Sequence, residues 1–333
     1  MTEFLLPDWP KAYLTPQVSG QYRVTNADFC VTELPLEQPS DEGEHVWLEI
    51  EKNGANTAWV AKRLAELAGV RDMDVGYAGL KDRHAITRQW FSIYLPRVEA
   101  PDFSQLNDDE MQVLSQQRHV RKLRRGDLAG NEFRLHLRHL SGDIAALDAV
   151  LQQIKAQGVP NYFGEQRFGH GGHNVVSGLA MLRGEFKVKN RNKRSLYLSA
   201  VRSLLFNQVI ASRMQQPGWL QALDGDVLDE QGLITAPLWG RGRLASSEQA
   251  LALETAVADE YREACDGMEH AGLKQERRAI VSQPLQLQWQ QPQSDELVLS
   301  FILAPGHYAT SVLRELGQFS SAAQRADQLP SGQ

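Results

Sequence analysis

The chain has 333 residues, 42% of them hydrophobic, and its 41 acidic and 35 basic side chains give a net charge of −6. The length favours two domains, and the acidic balance argues against a protein coated in positive potential. Two isolated cysteines support no disulfide framework. Neither a signal peptide nor a run of about 18 apolar residues is evident. We therefore expect a cytoplasmic protein with no membrane partner.

The first half of the chain alternates strand and helix signals. Residues 45–51 alternate like a half-buried strand. Asn56 and Thr57 are candidate caps of a helix with apolar residues at helical spacing, and Gly69 is placed to end it. An aromatic strand at 89–95 stops at the following proline. The irregular spacing of these elements favours an α+β fold over a doubly wound sheet.

The segment 79–85, between the helix and the aromatic strand, is the most informative one. It places Asp82 between Lys81 and Arg83. Nearby cations stabilise an ionised carboxylate, which covalent catalysis by aspartate requires, and loops anchored by rigid elements often carry catalytic groups. The alternative is a solvated turn, because Asp beside Lys and Arg is ordinary surface chemistry. On the functional interpretation, Asp82 is the candidate nucleophile.

Two basic runs stand out in this acidic chain. Residues 118–125 carry five cations and no acid, and residues 183–194 carry six cations and one acid. Such clusters suit a phosphate backbone, although a lone basic run is more often a solvated face. The candidate contacts to such a nucleic-acid backbone are Arg121, Lys122, Arg124, Arg125, Lys187, Lys189, Arg191, Lys193 and Arg194.

A strand and a helix follow the first basic run, and the chain then becomes mainly helical. A strand at 132–138 is followed by a helix for which Ser141 is the predicted N-cap and which ends near Gly158 and Pro160. Few strand signals follow until alternation returns at 285–289 and 297–303.

These elements predict a discontinuous α+β domain interrupted by a mainly helical insert. The catalytic domain is expected at residues 1–155 and 282–318, the insertion domain at 156–281, and a flexible tail at 319–333.

No cofactor or metal signature is evident. The glycine-rich segment 161–173 matches neither the Walker A pattern nor G-x-G-x-x-G. His136 and His139, like His170 and His173, have a spacing that can bind metal, but no carboxylate or thiol completes a known site. We therefore expect no metal, and we interpret both cysteines as small buried hydrophobic residues.

Six motifs occur in order along the chain. They are the segments 79–85, 130–133, 159–169, 191–195, 203–208 and 309–316. With these motifs the chain resembles the TruD family of tRNA pseudouridine synthases over nearly its whole length. The resemblance implies a mixed, largely antiparallel pseudouridine-synthase sheet with helices, a TRUD-type insertion domain, and conversion of uridine 13 in the D arm of tRNA to pseudouridine. It implies no cofactor or metal, and we expect a monomer that binds tRNA.

The resemblance also implies roles for individual residues. Asp82 is the implied nucleophile, and the implied substrate-binding residues are Phe29, Asn131, Phe133, Tyr308 and Lys81. On local sequence alone, Phe29 and Phe133 would be core residues. The chain departs from the family at two points, with Asn26 and Ala27 where Pro-Glu is common and Tyr308 where Phe is common.

Several alternatives stay open at this point. A stacked uridine must leave its helix to reach Asp82, at a cost of a few kcal/mol, so base flipping into a cleft between the two domains is expected. Asp82 either attacks the ribose directly or assists elimination. The alternative is a non-catalytic tRNA-binding or RNA-chaperone protein. Binding alone has no use for an ionised carboxylate facing a phosphodiester, because the two negative charges repel each other. A metal-dependent hydrolase is disfavoured because no cluster of carboxylates accompanies Asp82.

Overall fold

The computed structural model describes residues 6–14, 16–216 and 218–323, and the chain divides into two compact units. The described part of the first, the sheet unit, consists of residues 16–149, 284–307 and 316–323. The described part of the second, the helical unit, consists of residues 6–14, 150–216, 218–283 and 308–315.

The strands and helices alternate irregularly along the chain. The strands are β1 (Val18–Tyr22), β2 (Phe29–Leu34), β3 (His45–Asn53), β4 (Val75–Tyr77), β5 (Ile86–Tyr94), β6 (Met111–His119), β7 (Gly130–Gly142), β8 (Val159–Pro160), β9 (Thr235–Leu238), β10 (Glu276–Ala279), β11 (Val281–Ser282), β12 (Leu285–Gln290), β13 (Leu297–Leu303) and β14 (Gln318–Ser321). The α-helices are α1 (Thr57–Ala68), α2 (Leu147–Gln157), α3 (Glu165–Phe168), α4 (His173–Leu182), α5 (Arg191–Met214), α6 (Glu248–Glu260), α7 (Arg262–His270) and α8 (Ala309–Leu316).

A mixed sheet organises the sheet unit, and in the described part of the chain it has ten strands. Its main path is β12-β13-β7-β2-β5-β3-β6, with β1 pairing both β7 and β14, and β4 pairing β5. The β2–β5 and β1–β14 pairs are parallel and the other pairs are antiparallel. The predicted α+β class with a mixed, largely antiparallel sheet is confirmed.

Helix α1 covers part of one face of this sheet. It buries Val60 and Leu64 against Leu48, Ile50 and neighbouring apolar side chains of β3 and β5. Gly69 ends the helix in the left-handed region at φ +64°, where glycine is free of the penalty that a Cβ would impose. The predicted helix is therefore present.

The prediction that Ser141 is the N-cap of a helix was wrong. Strand β7 extends through Gly142, and Ser141 pairs with Ser19 of β1 instead of capping a helix. The next helix, α2, begins at Leu147 after a short 3-10 turn. Pairing with a strand far away in sequence thus prevails over the local capping preference of serine.

The helical unit packs several helices around the long helix α5. Phe206 and Ile210 of α5 are fully buried in its core, together with Phe168 of α3. The unit also has small strand pairs, β9 with β10 and β8 with β11, which the sequence signals did not reveal.

The helical unit includes segments that the predicted domain boundaries assign to the catalytic domain. The N–H groups of Ala12 and Tyr13 donate to Glu315 Oε2, at 2.9 and 3.4 Å. Ser311 donates to the carbonyl oxygen of Tyr162 at 3.2 Å. Residues 6–14 and 308–315 thus belong to the helical unit because they bond to one another and to its interior.

The C-terminal end of the described chain is ordered in a strand. Strand β14 pairs in parallel with β1, with Gly20 opposite Phe319. Residues 319–321 of the predicted tail therefore lie in the sheet, and residues 324–333 lie outside the described part. No helix among the described residues has the length and apolarity to cross a membrane.

The helical unit contains a buried and an exposed ion pair whose contributions to the free energy of unfolding can be compared. Arg213 and Asp226 are joined by two hydrogen bonds, with side chains only 6% and 5% exposed. Removing one partner of a buried pair leaves an uncompensated charge. We expect Arg213→Gln to lower the free energy of unfolding by about 3–5 kcal/mol, measured by chemical denaturation followed through the helical circular dichroism signal.

The matched control is Arg262→Gln. Arg262 pairs with Asp259 on the surface of the same unit, with side chains 69% and 54% exposed. This change is expected to cost less than about 1 kcal/mol. Equal costs for the two variants would contradict the assignment of a stabilising role to the buried pair.

Candidate active site

The loop that carries Asp82 is fastened at three points of its main chain. It connects β4 to β5. Thr57, at the start of α1, accepts a hydrogen bond from the Lys81 N–H at 3.1 Å, and Gln89 donates to the Gly79 carbonyl. The ammonium of Lys52 donates to the Asp82 carbonyl oxygen at 3.0 Å. The loop therefore has a defined position on the sheet and on α1.

The carboxylate of Asp82 faces outwards and forms an ion pair with Arg23. Its side chain is 44% exposed, and its Oδ2 lies 2.5 Å from Arg23 Nη2. Arg23 is only 7% exposed, and its guanidinium lies 4.0 Å from the centroid of the Phe29 ring. The sequence indicated cations beside Asp82 but not this one, because Lys81 points elsewhere and Arg83 is exposed.

The backbone of Arg23 has an unusual conformation. Arg23 follows β1 directly, and its φ is +58°. This region costs a residue with a Cβ roughly 1–2 kcal/mol, and such strain persists where surrounding contacts over-determine it. Here those contacts are the ion pair to Asp82 and the ring of Phe29.

Lys81 points into the protein and joins two strands. Its Nζ lies 2.8 Å from Glu33 Oε2 and donates to Asn131 Oδ1 at 2.7 Å. Glu33 and Asn131 are opposite each other in the β2–β7 register. Burial raises the pKa of Glu33, and the Lys81 ammonium partly offsets that rise. Because an ammonium only donates hydrogen bonds, Lys81 also fixes the amide of Asn131 with its oxygen towards Lys81.

Lys52 is a buried cation beside the same loop. It is 1% exposed, and it donates to the carbonyl oxygens of Ala55 and Asp82 at 2.8 and 3.0 Å. Burial lowers the pKa of Lys52 to about 8, although the nearby Asp82 charge raises it and Lys81 lowers it. Its proton is therefore held less tightly than that of an ordinary lysine.

The predicted pocket aromatics of the sheet unit are packed together. Phe29 and Phe133 are 2% and 8% exposed, and their rings meet edge to face with centroids 6.2 Å apart. Phe133 also stacks on Phe301 at 5.6 Å. Both rings are thus buried, as their local sequence indicates.

Tyr308 belongs to the helical unit. Its hydroxyl accepts a hydrogen bond from Arg167 Nη2 at 2.8 Å, and its ring lies 6.0 Å from that of Phe163. The hydroxyl that distinguishes this chain from the common Phe therefore has a partner.

The two basic runs differ in how much charge they leave exposed. In the first run, Arg121 is ion-paired with Glu37 and Asp127, and Lys122 donates to the Met73 carbonyl oxygen at 2.5 Å. The exposed basic side chains of the two runs are those of Arg124, Arg125, Arg183, Lys187, Lys189, Arg191, Lys193 and Arg194. The last three of these lie in the first turn of α5.

The histidines and cysteines show no sign of a metal centre. Within residues 6–14, 16–216 and 218–323, no group of three or more His, Cys, Asp or Glu residues is arranged to hold a metal ion. His136 lies 2.9 Å from Glu296. Burial raises the pKa of Cys265 to about 12. Cys30 is only half-buried, so the prediction of a buried side chain was wrong for this cysteine.

Sequence reasoning missed Arg23, Glu33 and Lys52. Glu33 and Lys52 carry a detectable signal, because each occupies an inward position of a strand whose other inward positions are apolar. Arg23 carries none, since nothing local in the sequence connects it to Asp82.

Comparisons with known proteins agree with one another. The family model of tRNA pseudouridine synthase D (TruD) matches residues 11–189. A tRNA pseudouridine synthase D from Aeromonas hydrophila is 45% identical over 336 residues, covering 93% of this chain and 95% of that protein. The one from Cellvibrio japonicus is 46% identical over 313 residues, covering 93% and 92%.

A solved structure has a similar fold. It is the crystal structure of a Methanosarcina mazei protein assigned to tRNA pseudouridine synthase D, with a TM-score of 0.70 and 22% identity, covering 94% of this chain and 95% of that one. At this identity the likeness concerns the fold.

Arg23 is expected to position Asp82. Arg23→Met removes the charge beside the carboxylate, and since small misplacements of a reacting group are costly, kcat should fall about 100-fold with KM nearly unchanged. Arg23→Lys should recover part of the loss. Arg88→Met is the control, because Arg88 forms an exposed ion pair with Glu51 in the same unit. Steady-state kinetics with tRNA as the candidate substrate make the measurement, and a change confined to KM would argue against positioning.

The lowered pKa of Lys52 predicts a pH dependence of stability. Between about pH 8 and the ordinary lysine value of 10.5, the unfolded chain holds a proton that the folded protein has released. The contribution of Lys52 to stability therefore rises with pH across this interval, by at most about 3 kcal/mol. We expect the stability of the wild type relative to Lys52→Met, measured by denaturation at each pH, to increase over this range. A constant or falling difference would refute the buried-cation assignment.

Proposed function

This chain belongs to the TruD family of tRNA pseudouridine synthases, and on that premise we propose that it isomerises uridine 13 in the D arm of tRNA, with Asp82 as nucleophile. The observation that carries the proposal is the accessible carboxylate of Asp82, paired with Arg23 on a loop whose main chain is held by Thr57, Gln89 and Lys52.

The reaction exchanges one bond to the ribose for another. The C1′–N1 bond of the uridine breaks, and its electron pair leaves with the uracil. The carboxylate of Asp82 either bonds to C1′ or assists elimination at the ribose. The uracil rotates, and C5 bonds to C1′ as the C1′–O bond to Asp82 breaks or, on the elimination route, as the ribose regains the proton that it lost. C5 then loses its proton and N1 gains one. Reactant and product are isomers, so the balance requires no oxidant or co-substrate.

The surroundings of Asp82 suit this chemistry. Its carboxylate is accessible, with 44% of the side chain exposed, and Arg23 supplies a permanent positive charge at 2.5 Å. Arginine is a permanent cation. Its charge therefore stabilises the carboxylate anion of Asp82 both before the carboxylate attacks and after it is released.

Asn131 is proposed to read the base. Lys81 occupies the amide oxygen of Asn131, so the amide NH2 group is left as the donor for a ligand. The carbonyl oxygen at C4 of uracil accepts from such a donor, whereas the exocyclic amine at C4 of cytosine does not. Lys81 thus acts on the substrate through Asn131.

The aromatic residues are proposed to have separate roles. Phe133 forms the wall of the base pocket, in contact with Phe29 and Phe301. Phe29 is nearly inaccessible, so we assign to it the support of Arg23, over whose guanidinium it packs. Tyr308 remains a proposed contact to the flipped base or its ribose.

Exposed cations are proposed to hold the tRNA backbone. Arg191, Lys193 and Arg194 lie in the first turn of α5, with Asn190 accepting a hydrogen bond from the Lys193 N–H at 3.0 Å. The positive end of a helix dipole disfavours cations and attracts anions, so a phosphate would relieve repulsion there. Arg124 and Arg125 offer exposed charge in the sheet unit, whereas Arg121 is already paired with two carboxylates.

The rival function is tRNA binding without chemistry. It accounts for the exposed cations, but it gives no reason for a tethered, accessible carboxylate, which repels phosphodiesters. Two measurements separate the functions, namely pseudouridine formation and RNA affinity.

The proposal predicts that Asp82→Asn abolishes the reaction and preserves binding. Loss of the nucleophile should reduce the rate of pseudouridine formation by about 10³-fold or more, while the Kd for tRNA changes little. Asp109→Asn, the same change at an exposed acid, should leave both unchanged. Pseudouridine mapping and filter binding on one tRNA preparation make the measurement.

A tRNA transcript with cytidine at position 13 completes the test. It should yield no product at that position. Modification by the wild type at another uridine would overturn the positional assignment, and tight binding by all proteins with no modification would favour the binding-only function.

A further inference from the structure

The connection between β1 and β2, residues 23–28, closes on the buried carboxylate of Asp28. Asp28 is 1% exposed and ends a short 3-10 turn, Asn26–Asp28. Its Oδ2 accepts the Thr25 N–H at 2.7 Å, and its own N–H donates to the Thr25 carbonyl oxygen at 3.1 Å. These two bonds fix the path of the main chain through the turn.

The other carboxylate oxygen of Asp28 anchors the connection to the sheet. Oδ1 accepts from Arg138 Nε on β7 at 2.8 Å, and Arg138 lies opposite Gln21 of β1 in the strand register. Arg138 Nη1 in turn donates to Glu296 Oε1, between β12 and β13, at 2.7 Å. The turn is therefore attached through one arginine to segments that are distant in sequence.

His136 completes this charged network as a neutral side chain. Arg138 Nη2 lies 3.0 Å from His136 Nδ1, and Nδ1 accepts because a guanidinium only donates. The proton of His136 is then on Nε2, which donates to Glu296 Oε2 at 2.9 Å. Asp28 and Glu296 thus each use both carboxylate oxygens, and a polar network that is satisfied in this way is rigid.

The same connection carries the partner of Asp82. Arg23 is its first residue, with φ at +58°. Phe29 follows its last residue, and the Arg23 guanidinium lies 4.0 Å from the centroid of the Phe29 ring. The contacts to Asp82 and Phe29 hold only the side chain of Arg23. The main chain between Arg23 and Phe29 is held by the bonds of Asp28, so Asp28 sets the spacing of these two residues.

A buried carboxylate is a costly means of gaining stability alone. Replacing a buried ion pair by apolar residues is often neutral or stabilising, so packing gives no reason for an acid at this turn. We propose that Asp28 is a positioning residue of the reaction, which fixes the β1–β2 connection and thereby places Arg23 beside Asp82. The inference rests on the proposed function, in which Asp82 is the nucleophile.

Asp28→Asn tests the proposal, because an amide keeps the shape of the carboxylate but has only one accepting oxygen. Either the Thr25 N–H or Arg138 Nε would then face an NH2 group. We expect kcat for pseudouridine formation to fall about tenfold, with KM and the Kd for tRNA nearly unchanged. An unchanged kcat in a folded variant, or a loss expressed only in tRNA affinity, would overturn the proposal.

A double-mutant cycle with Arg23→Met determines whether Asp28 acts through Arg23. In that background the charge that Asp28 places is already absent. Asp28→Asn should therefore lower kcat by less than about twofold there, because residues that act through one contact are not additive. A second tenfold loss would refute the action through Arg23.

Asp74→Asn is the matched control. Asp74 also ends a 3-10 turn, where it accepts the Arg71 N–H at 3.3 Å and Arg71 Nε at 3.0 Å. This turn is on the surface, with the Arg71 side chain 75% exposed. The control should keep the wild-type kcat, and melting temperatures identify any variant that fails to fold.

Glu296→Gln is a milder variant that keeps the proposal testable if Asp28→Asn does not fold. It removes one of the two acceptors that hold Arg138 and His136, and it leaves Asp28 itself intact. We expect kcat to fall about threefold in the wild-type background and to change little in the Arg23→Met background. A wild-type kcat for this variant would also overturn the proposal.

Unfolding measures the same coupling without RNA. The factor by which Arg23→Met changes the unfolding equilibrium constant should be at least about twofold smaller when Asp28→Asn or Glu296→Gln is present. Independent effects would overturn the proposal whether or not the protein modifies RNA. Absence of pseudouridine formation by the wild type would instead refute the proposed function, so the two failures are distinguishable.

Discussion

The buried ion pair between Lys81 and Glu33 is the interaction on which the candidate active site depends. Its two side chains are 8% and 1% exposed, with 2.8 Å between the charged atoms. Desolvating two charges is expensive, and their attraction repays that cost only in good geometry with further hydrogen bonds. Asn131 and the Trp90 N–H supply such bonds. With Lys81 drawn inwards, the carboxylate of the next residue, Asp82, is directed outwards.

The same sheet face combines an apolar core with this polar site. Leu48 and Ile50 of β3 are buried against α1, and two residues further along the same face comes Lys52. The site therefore stands at the edge of a close-packed region, where side chains have little freedom to move. The packed side chains beneath the loop hold it in place, whereas the cations that we propose as contacts to RNA are exposed.

Local patterns predicted α1 and five strands of the sheet, β3, β5, β7, β12 and β13, because residue spacing and turn residues within a short segment signal them. They did not predict the other five described strands, β1, β2, β4, β6 and β14. They predicted Asp82 as the reactive group from its neighbours, but they assigned the wrong cation to it. Arg23 reaches Asp82 only because the sheet places the end of β1 beside the loop, which no local pattern encodes. The prediction that Ser141 is a helix N-cap was wrong for a similar reason, because Ser141 pairs with Ser19 of a strand distant in sequence.

The strand order also determines when the strands of the sheet can pair as the chain is synthesised. Strand β7 lies between β2 and β13 in the sheet, but β13 begins only at Leu297, long after β7 ends at Gly142. At translation rates of about 5–20 residues per second, β13 emerges on the order of 10–30 s later. During that time one edge of β7 has no partner, and unpaired edges promote association between chains. The nascent protein therefore has a period of exposure to aggregation that the finished sheet does not.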